Sequence, residues 1–291
     1  MLYKQIERNK RNTLFIVTGF ILFVLAVGAA LTYLTSGNYY SGMILAAIIG
    51  GVYTIVMLTS STNVVMKMNL AKEVTSKKDA PFLWHTVENL AMAARIPMPK
   101  IFIIQDHSPN AFATGTSPQK GAVAVTTGLM SRLNREEIEG VLAHEVAHIR
   151  NFDIRLATIA VALVSAVAIL SDLGARMMLF SRRNRNQKQH PAMLIVALLL
   201  LVLAPFVATL IRLAISRNRE FLADASAIEL TRNPYALASA LQTITGIDTP
   251  VREASSTAAP LYFADPLKKK AANLFSTHPN PQERIRRLHN M

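Results

Sequence analysis

The sequence predicts an α+β chain, mainly α, in which apolar helical hairpins carry a smaller domain built on one small sheet. Hydrophobic residues make up 51% of its 291 residues and charged residues only 17%, a balance typical of membrane helices with a modest soluble part. Charge is missing altogether between Arg11 and Lys67. Three short β-type runs between residues 100 and 127 lie among segments of helical periodicity.

The charge-free stretch is long enough for two spans of about 20 apolar residues each. Ser36-Gly37-Asn38-Tyr39-Tyr40-Ser41-Gly42 is the natural break, which places the spans near 13–34 and 43–58 of an N-terminal hairpin, residues 1–66. Ala26-Val27-Gly28-Ala29-Ala30 is small enough for a signal-peptide cleavage site, but the first run is long for a signal core and a second follows at once, so an uncleaved hairpin is expected. Lys4, Arg8, Lys10 and Arg11 stand at one open end, and Lys67, Lys72, Lys77 and Lys78 at the other. Positive charge on both ends places them in the cytoplasm, with the turn outside.

Residues 67–155 read as a cytoplasmic region. Pro81 opens a helix to about Ala94, with Leu83, Val87, Leu90, Ala91 and Ala94 at helical spacing. Lys100–Gln105 reads as a buried strand, and Asp106-His107-Ser108-Pro109 as a turn with an ordinary loop histidine. Asn110–Gly115 and Gly121–Thr127 read as strands of small residues, either a plain hairpin or an edge that an extended peptide could join. Asn134 then caps a helix with Glu136 and Glu137 in its first turn.

That helix carries His144-Glu145-Val146-Ala147-His148. Residues four apart lie on one face, so the two imidazoles can grip one metal ion. Glu145 points roughly 100° away round the helix, which suits it to a water on the metal and not to ligation. Asp153 is expected to make local hydrogen bonds or a cap. Cysteine is absent, so any metal must be held by His, Asp or Glu.

Two further apolar runs, about 156–171 and 192–211, form a second membrane hairpin, residues 156–211. The first is short, and Arg176, Arg182, Arg183, Arg185 and Lys188 lie between them, against the positive-inside tendency, so a re-entrant hairpin is the alternative. Either way the chain returns to the side it left, and residues 212–291 complete the catalytic region. A third ligand is sought there among Glu220, Asp224, Glu229 and His278. Glu220 and Asp224 share a helix face, where one could ligate and the other orient a ligand histidine; a solvated acidic face paired with Arg217 and Arg219 fits the spacing equally.

His144–His148, then Asn218-Arg219-Glu220-Phe221-Leu222-Ala223-Asp224-Ala225, then Ser276-Thr277-His278-Pro279 with Arg284, interrupted by an apolar hairpin, resemble the HtpX-type membrane zinc metallopeptidases, bacterial relatives of the prenyl-protein (CAAX) endopeptidases. Asn110-Ala111-Phe112-Ala113 resembles a motif that precedes the zinc helix in that family. The resemblance implies a zincin-like domain holding one Zn2+ through His144, His148 and Glu220. It implies Asp224 as the partner of His144, Glu145 as general base, and His278 and Arg284 in the cleft where the oxyanion forms. It also implies Asn110, Ala111 and Phe112 on the substrate-side strand. The expected activity is endoproteolysis of misfolded or membrane proteins in quality control and stress response, from a multi-pass position in the cell inner membrane. With four candidate spans, the larger closed chamber of the prenyl-protein branch is not expected.

The net charge of +13 falls beside apolar spans and not in a basic stripe with interleaved aromatics, which excludes nucleic acid as a partner. Two other readings stay open: a membrane adaptor with a structural zinc, and a narrow-specificity processing peptidase.

Overall fold

Two long helices open the chain, α1 (Leu2–Ser36) and α2 (Tyr40–Met68), turning over at Gly37. They belong to a computed structural model that describes residues 2–164, 217–247, 249–252, 258–266 and 279–291. Their apolar windows, Glu7–Ala29 (23 residues) and Tyr40–Met57 (18 residues), are each only 17% buried. At about 1.5 Å per residue they measure roughly 34 and 27 Å, close to the thickness of a bilayer's hydrocarbon core. Leu14, Phe15, Leu22, Ile44, Ile48, Val52 and Ile55 are all exposed along them, a surface that suits lipid and not water. The two helices cross on small residues: a Cβ on Gly28 would stand 2.5 Å from the Gly42 carbonyl oxygen, so backbone packs on backbone there. Thr13, Thr32 and Thr54 turn their hydroxyls back onto carbonyls four residues earlier, which satisfies them without water.

The domain begins with the two-residue strand β1 (Lys72–Glu73) and α3 (Pro81–Ala94), the expected helix with proline at its start; Arg95 in the left-handed region ends it before Pro97. The expected strands follow as β2 (Lys100–Ile104), β3 (Ala111–Thr114) and β4 (Ala122–Thr126). The sheet order is β1-β2-β4-β3, with β2 and β4 parallel and the other pairs antiparallel. The β3–β4 pair is thus a hairpin whose β3 forms one edge.

Both faces of this sheet are covered, which is why its strands read as nearly continuous apolar or small residues. Ile101, Ala111, Ala113, Val123 and Val125 face the main core, with α3 and three later helices. The alternate residues Phe102, Ile104, Phe112, Ala122 and Ala124 face Val65 and Met66 of α2, Val161, Val251 and Tyr262. The main-core helices are α5 (Arg135–Arg150), preceded by the short α4 (Thr127–Arg132), and α7 (Arg217–Thr231) with α8 (Pro234–Thr245); the C-terminal α9 (Pro281–Leu288) packs behind them. The Asn134 cap is a full capping box with Glu137, each side chain accepting the other's backbone N–H at 2.9 Å.

Beyond α5, a helix over residues 153–164, α6, is described. It includes the start of the expected second hairpin, and it is not lipid-facing there: Leu156, Ile159, Leu163 and Val164 pack with Ile16 and Phe20 of α1. The rest of that hairpin, including its basic loop, lies outside the described residues.

Candidate metal centre

The capping box fixes the start of α5, and the helix then carries its motif into the main core. His144 is 1% exposed and Glu145 is 2% exposed. The rings of His144 and His148 meet edge to face, with their Nε2 atoms 3.1 Å apart. Alanines at 143 and 147 on α5 and at 223 and 227 on α7 are all buried, and such small residues let the two helices lie close. That brings Glu220 to the histidines: its carboxylate oxygens lie 3.5 Å from His148 Nε2 and 3.8 Å from His144 Nε2.

Behind these atoms each imidazole is fixed by a carboxylate. His144 Nδ1 is 2.9 Å from Asp224 Oδ1, and His148 Nδ1 is 3.1 Å from Asp153 Oδ2. Both Nε2 atoms are thereby aimed at the same point as Glu220, and the three ligand atoms lie within 4.8 Å of one another. Two nitrogens held tetrahedrally at about 2.0–2.1 Å from zinc should be about 3.3 Å apart, so the observed spacing fits one zinc ion. Charge points the same way. Four carboxylates (Glu145, Asp153, Glu220 and Asp224) crowd the centre, with two guanidiniums, Arg219 and Arg284, among them. Carboxylates thus outnumber guanidiniums around the ligand atoms, an excess of oxygen donors that suits a divalent cation.

The titrations follow from this crowding. Burial, against the pull of Asp224, lowers His144 to about 4 and keeps its ring neutral, the form a ligand needs. Burial also works to lower His148, but Asp153, Glu220 and Glu145 together raise it to about 9. Burial, helped by the Glu220 charge, raises Glu145 to about 8, with His148, Arg284 and a backbone hydrogen bond from Ala113 opposing. Burial would raise Asp224 as well, but Arg284 and His144 hold it down at about 2.

The centre opens into a cleft walled by Ala113, Ala157, Leu261, Tyr262 and Phe263. The Phe263 ring stands edge-on to His144, centroids 5.1 Å apart. Tyr262 bridges to Phe112 and the Phe263 N–H donates to the Ala111 carbonyl at 2.8 Å, so this segment occupies the first half of the free β3 edge.

The structure places the sequence candidates unequally. His144, Glu145, His148, Glu220 and Asp224 come together. Glu229 does not: it is surface-exposed and paired with Arg150 at 3.2 Å. The alternative of a solvated acidic face fails, because Arg219 and Asp224 are 5% and 2% exposed. Arg284 requires a correction. It is 1% exposed and grips both oxygens of Asp224, at 2.6 and 2.9 Å, with Nη1 also 3.7 Å from Glu220 Oε2, which places it behind the ligand atoms and not on the cleft wall. Asn110, Ala111 and Phe112 are also corrected as substrate contacts. The Asn110 amide is buried and spent on the Ala264 backbone, Ala111 faces the main core, and Phe112 stacks with Tyr262 in the opposite core. The strand residue that reaches the cleft is Ala113. His278 lies outside the described residues.

Asp153 makes the local hydrogen bond expected of it, but sequence reasoning did not name His148 as the partner. Its signal is a turn: α5 ends at Arg150, Phe152 takes φ 59°, and this left-handed residue swings Asp153 back toward the helix it has just left. It also missed Asn9, whose amide donates to Asp153 from the far end of the chain.

Residues 77–291 match the peptidase family M48. Over all of this chain and all of theirs, proteins named "Protease HtpX homolog" are 55% identical in Listeria monocytogenes serotype 4a and 48% identical in Leuconostoc citreum. Among solved structures, S. mikatae Ste24p matches with a TM-score of 0.49 at 18% identity, covering 99% of this chain and 66% of that one, a likeness too distant to bear on the site.

Proposed function

The chain belongs to peptidase family M48 and is a membrane metallopeptidase, and from that premise we propose a zinc-dependent endopeptidase whose general base is Glu145. The observation that carries this reading is the convergence of His144 Nε2, His148 Nε2 and a Glu220 carboxylate, each imidazole backed by its own buried aspartate. Among the described residues only these three converge as ligands, which fits a catalytic zinc that keeps one position open, whereas a structural zinc takes four. When bound there, zinc would act as a Lewis acid and bring a coordinated water's pKa toward neutrality.

The chain's own residues supply the rest. Glu145, one residue from the first ligand and facing the cleft, takes the proton of the attacking water and hands it to the leaving amine. Asp224 and Asp153 keep both ligand rings in one tautomer and orientation, and Arg284 acts through Asp224. The Ala113 backbone points the same way along β3 as Ala111, whose carbonyl is turned to the free edge, so the Ala113 carbonyl offers the next acceptor to an extended peptide while its N–H donates to Glu145. His278 keeps a proposed place near the oxyanion on the likeness of Ser276–Pro279 alone.

We assign the catalytic regions, 67–155 and 212–291, to the cytoplasmic face of a multi-pass membrane protein. Supporting this, Asn9 and Lys10, at the basic end of α1, touch Asp153 and Phe152 of the domain. The domain thus sits at the positively charged end of the hairpin, which favours the cytoplasm. Substrates are proposed to be misfolded or membrane polypeptides presented at that surface.

The test is Glu145→Gln in purified full-length protein. It should keep one zinc per chain and lose cleavage of an unfolded protein by about 10²–10⁴-fold. Near-normal cleavage by that variant would remove Glu145 from the mechanism.

A further inference from the structure

The buried face of α1 runs Asn9, Thr13, Ile16, Phe20, one residue per turn, and its two apolar members pack on α6 as a membrane anchor requires. Asn9 does not fit that purpose. A buried amide costs free energy unless it is hydrogen-bonded, and a leucine would pack there at no such cost. Its Nδ2 instead donates to Asp153 Oδ1 at 2.8 Å, across 144 residues of sequence. The other oxygen of the same carboxylate meets His148 Nδ1 at 3.1 Å. Asp153 is 4% exposed and has one oxygen on the first membrane helix and the other on a candidate metal ligand.

We infer that Asn9 is a positioning residue of the metal centre, acting through Asp153 on His148. The inference rests on the metal reading above. A carboxylate bonded on one side only can turn about its last torsion, and the imidazole it orients then loses a fixed direction. The Asn9 amide removes that freedom. Its neighbour Lys10 lies over the Phe152 ring at 5.3 Å, which ties the same turn of α1 to the left-handed residue that delivers Asp153. Arg219, whose charge also faces Asp153, helps neutralise the carboxylate. The hairpin's other end reaches the opposite wall of the cleft: Asn69, just past α2, accepts the Tyr262 hydroxyl at 2.9 Å. The first hairpin is therefore part of the site's scaffold as well as its anchor.

The experiment measures zinc affinity by chelator competition on full-length protein in detergent, with the visible absorption of the Co2+-substituted protein as a report on ligand geometry. Asn9→Leu should weaken affinity about tenfold and alter the cobalt spectrum. Asp153→Asn should weaken it about 10–100-fold. The double variant should be no weaker than Asp153→Asn, because both changes break one chain of contacts. Thr13→Val, one turn further along the same face, should leave affinity unchanged. If Asn9→Leu yields too little folded protein, Asn9→Ala reads the same coupling. Unchanged affinity in the Asn9 variants, additive losses in the double variant, or an equal loss in Thr13→Val would each overturn the inference. A wild type that takes up no zinc would overturn the metal centre itself and this inference with it.

Discussion

Arg284 holds both oxygens of Asp224, at 2.6 and 2.9 Å, and both side chains are almost wholly removed from solvent. A planar guanidinium meeting a carboxylate edge to edge is the strongest geometry this pair can take. Arg284→Ala leaves the Asp224 charge buried with one partner fewer. Loss of one member of a buried pair costs about 3–5 kcal/mol, so thermal or denaturant unfolding in detergent should shift by that order. Arg284→Lys should recover only part of it, since an ammonium cannot make the paired contact.

The same pair sets an acid limit. Asp224 is held at about 2, below the value near 3.9 of an unfolded aspartate, so its contribution is present above that value and is lost as pH falls through about 2. The shift corresponds to a contribution on the order of 2 kcal/mol. In a conservative replacement that loosens the pair, such as Arg284→Lys, the loss should begin at higher pH, which stability curves between pH 2 and 5 would detect.

Chelated protein should show the opposite slope from Glu145. Burial and the Glu220 charge raise it to about 8, above its unfolded value, so its contribution is complete below about pH 4.5 and is lost as pH rises through about 8. Metal-free wild type should lose stability over that window more steeply than metal-free Glu145→Gln. Parallel pH–stability curves for the two would refute the placement of Glu145 in a dry, negatively charged pocket.

Glu220 and Glu229 stand on the same helix and separate ligand from surface. Glu220→Gln should lower zinc affinity severely. Glu229→Gln breaks only an exposed pair with Arg150 and should change neither zinc content nor stability by more than about 0.5 kcal/mol. Metal counted per chain in the two variants decides it.

Asn110→Ala tests the corrected role of that residue. Its amide closes hydrogen bonds to the Ala264 backbone, and removing it should destabilise the fold by about 1–3 kcal/mol. KM of the folded protein should stay within about twofold of wild type, whereas a substrate contact would raise KM without loss of stability.

Much of this centre was legible because its first ligands are local. A spacing of four on a helix places His144 and His148 without knowledge of the fold, and the capping box at Asn134 marks where that helix starts. Glu220 and Asp224 were readable as a pair on one face, but spacing alone could not choose between them and solvent. What decides is packing against α5, and that information is spread over two separated stretches of sequence. Arg284 was found and misassigned for the same reason, since nothing local indicates that its partner is an aspartate 60 residues earlier. Lys100–Gln105 was read as buried, but the small residues at 110–114 left a plain hairpin and an edge for an extended peptide equally open. They are small because both faces of β3 are already covered.

That covering of both faces has a bearing on how the chain could be divided. The even-numbered face of the sheet packs on Val65 and Met66 of α2, on α6 and on the Tyr262 segment, so among the described residues anchor and enzyme share one apolar cluster. A cut near residue 66 would take Val65 and Met66 off that face and open the apolar cluster around Phe102 and Ile104 to water, with Tyr262 still on Phe112. The catalytic part is consequently not a module that detaches cleanly from its anchor. Shedding it from the bilayer would be a partial unfolding, and release by proteolysis should end in aggregation instead of a working soluble fragment.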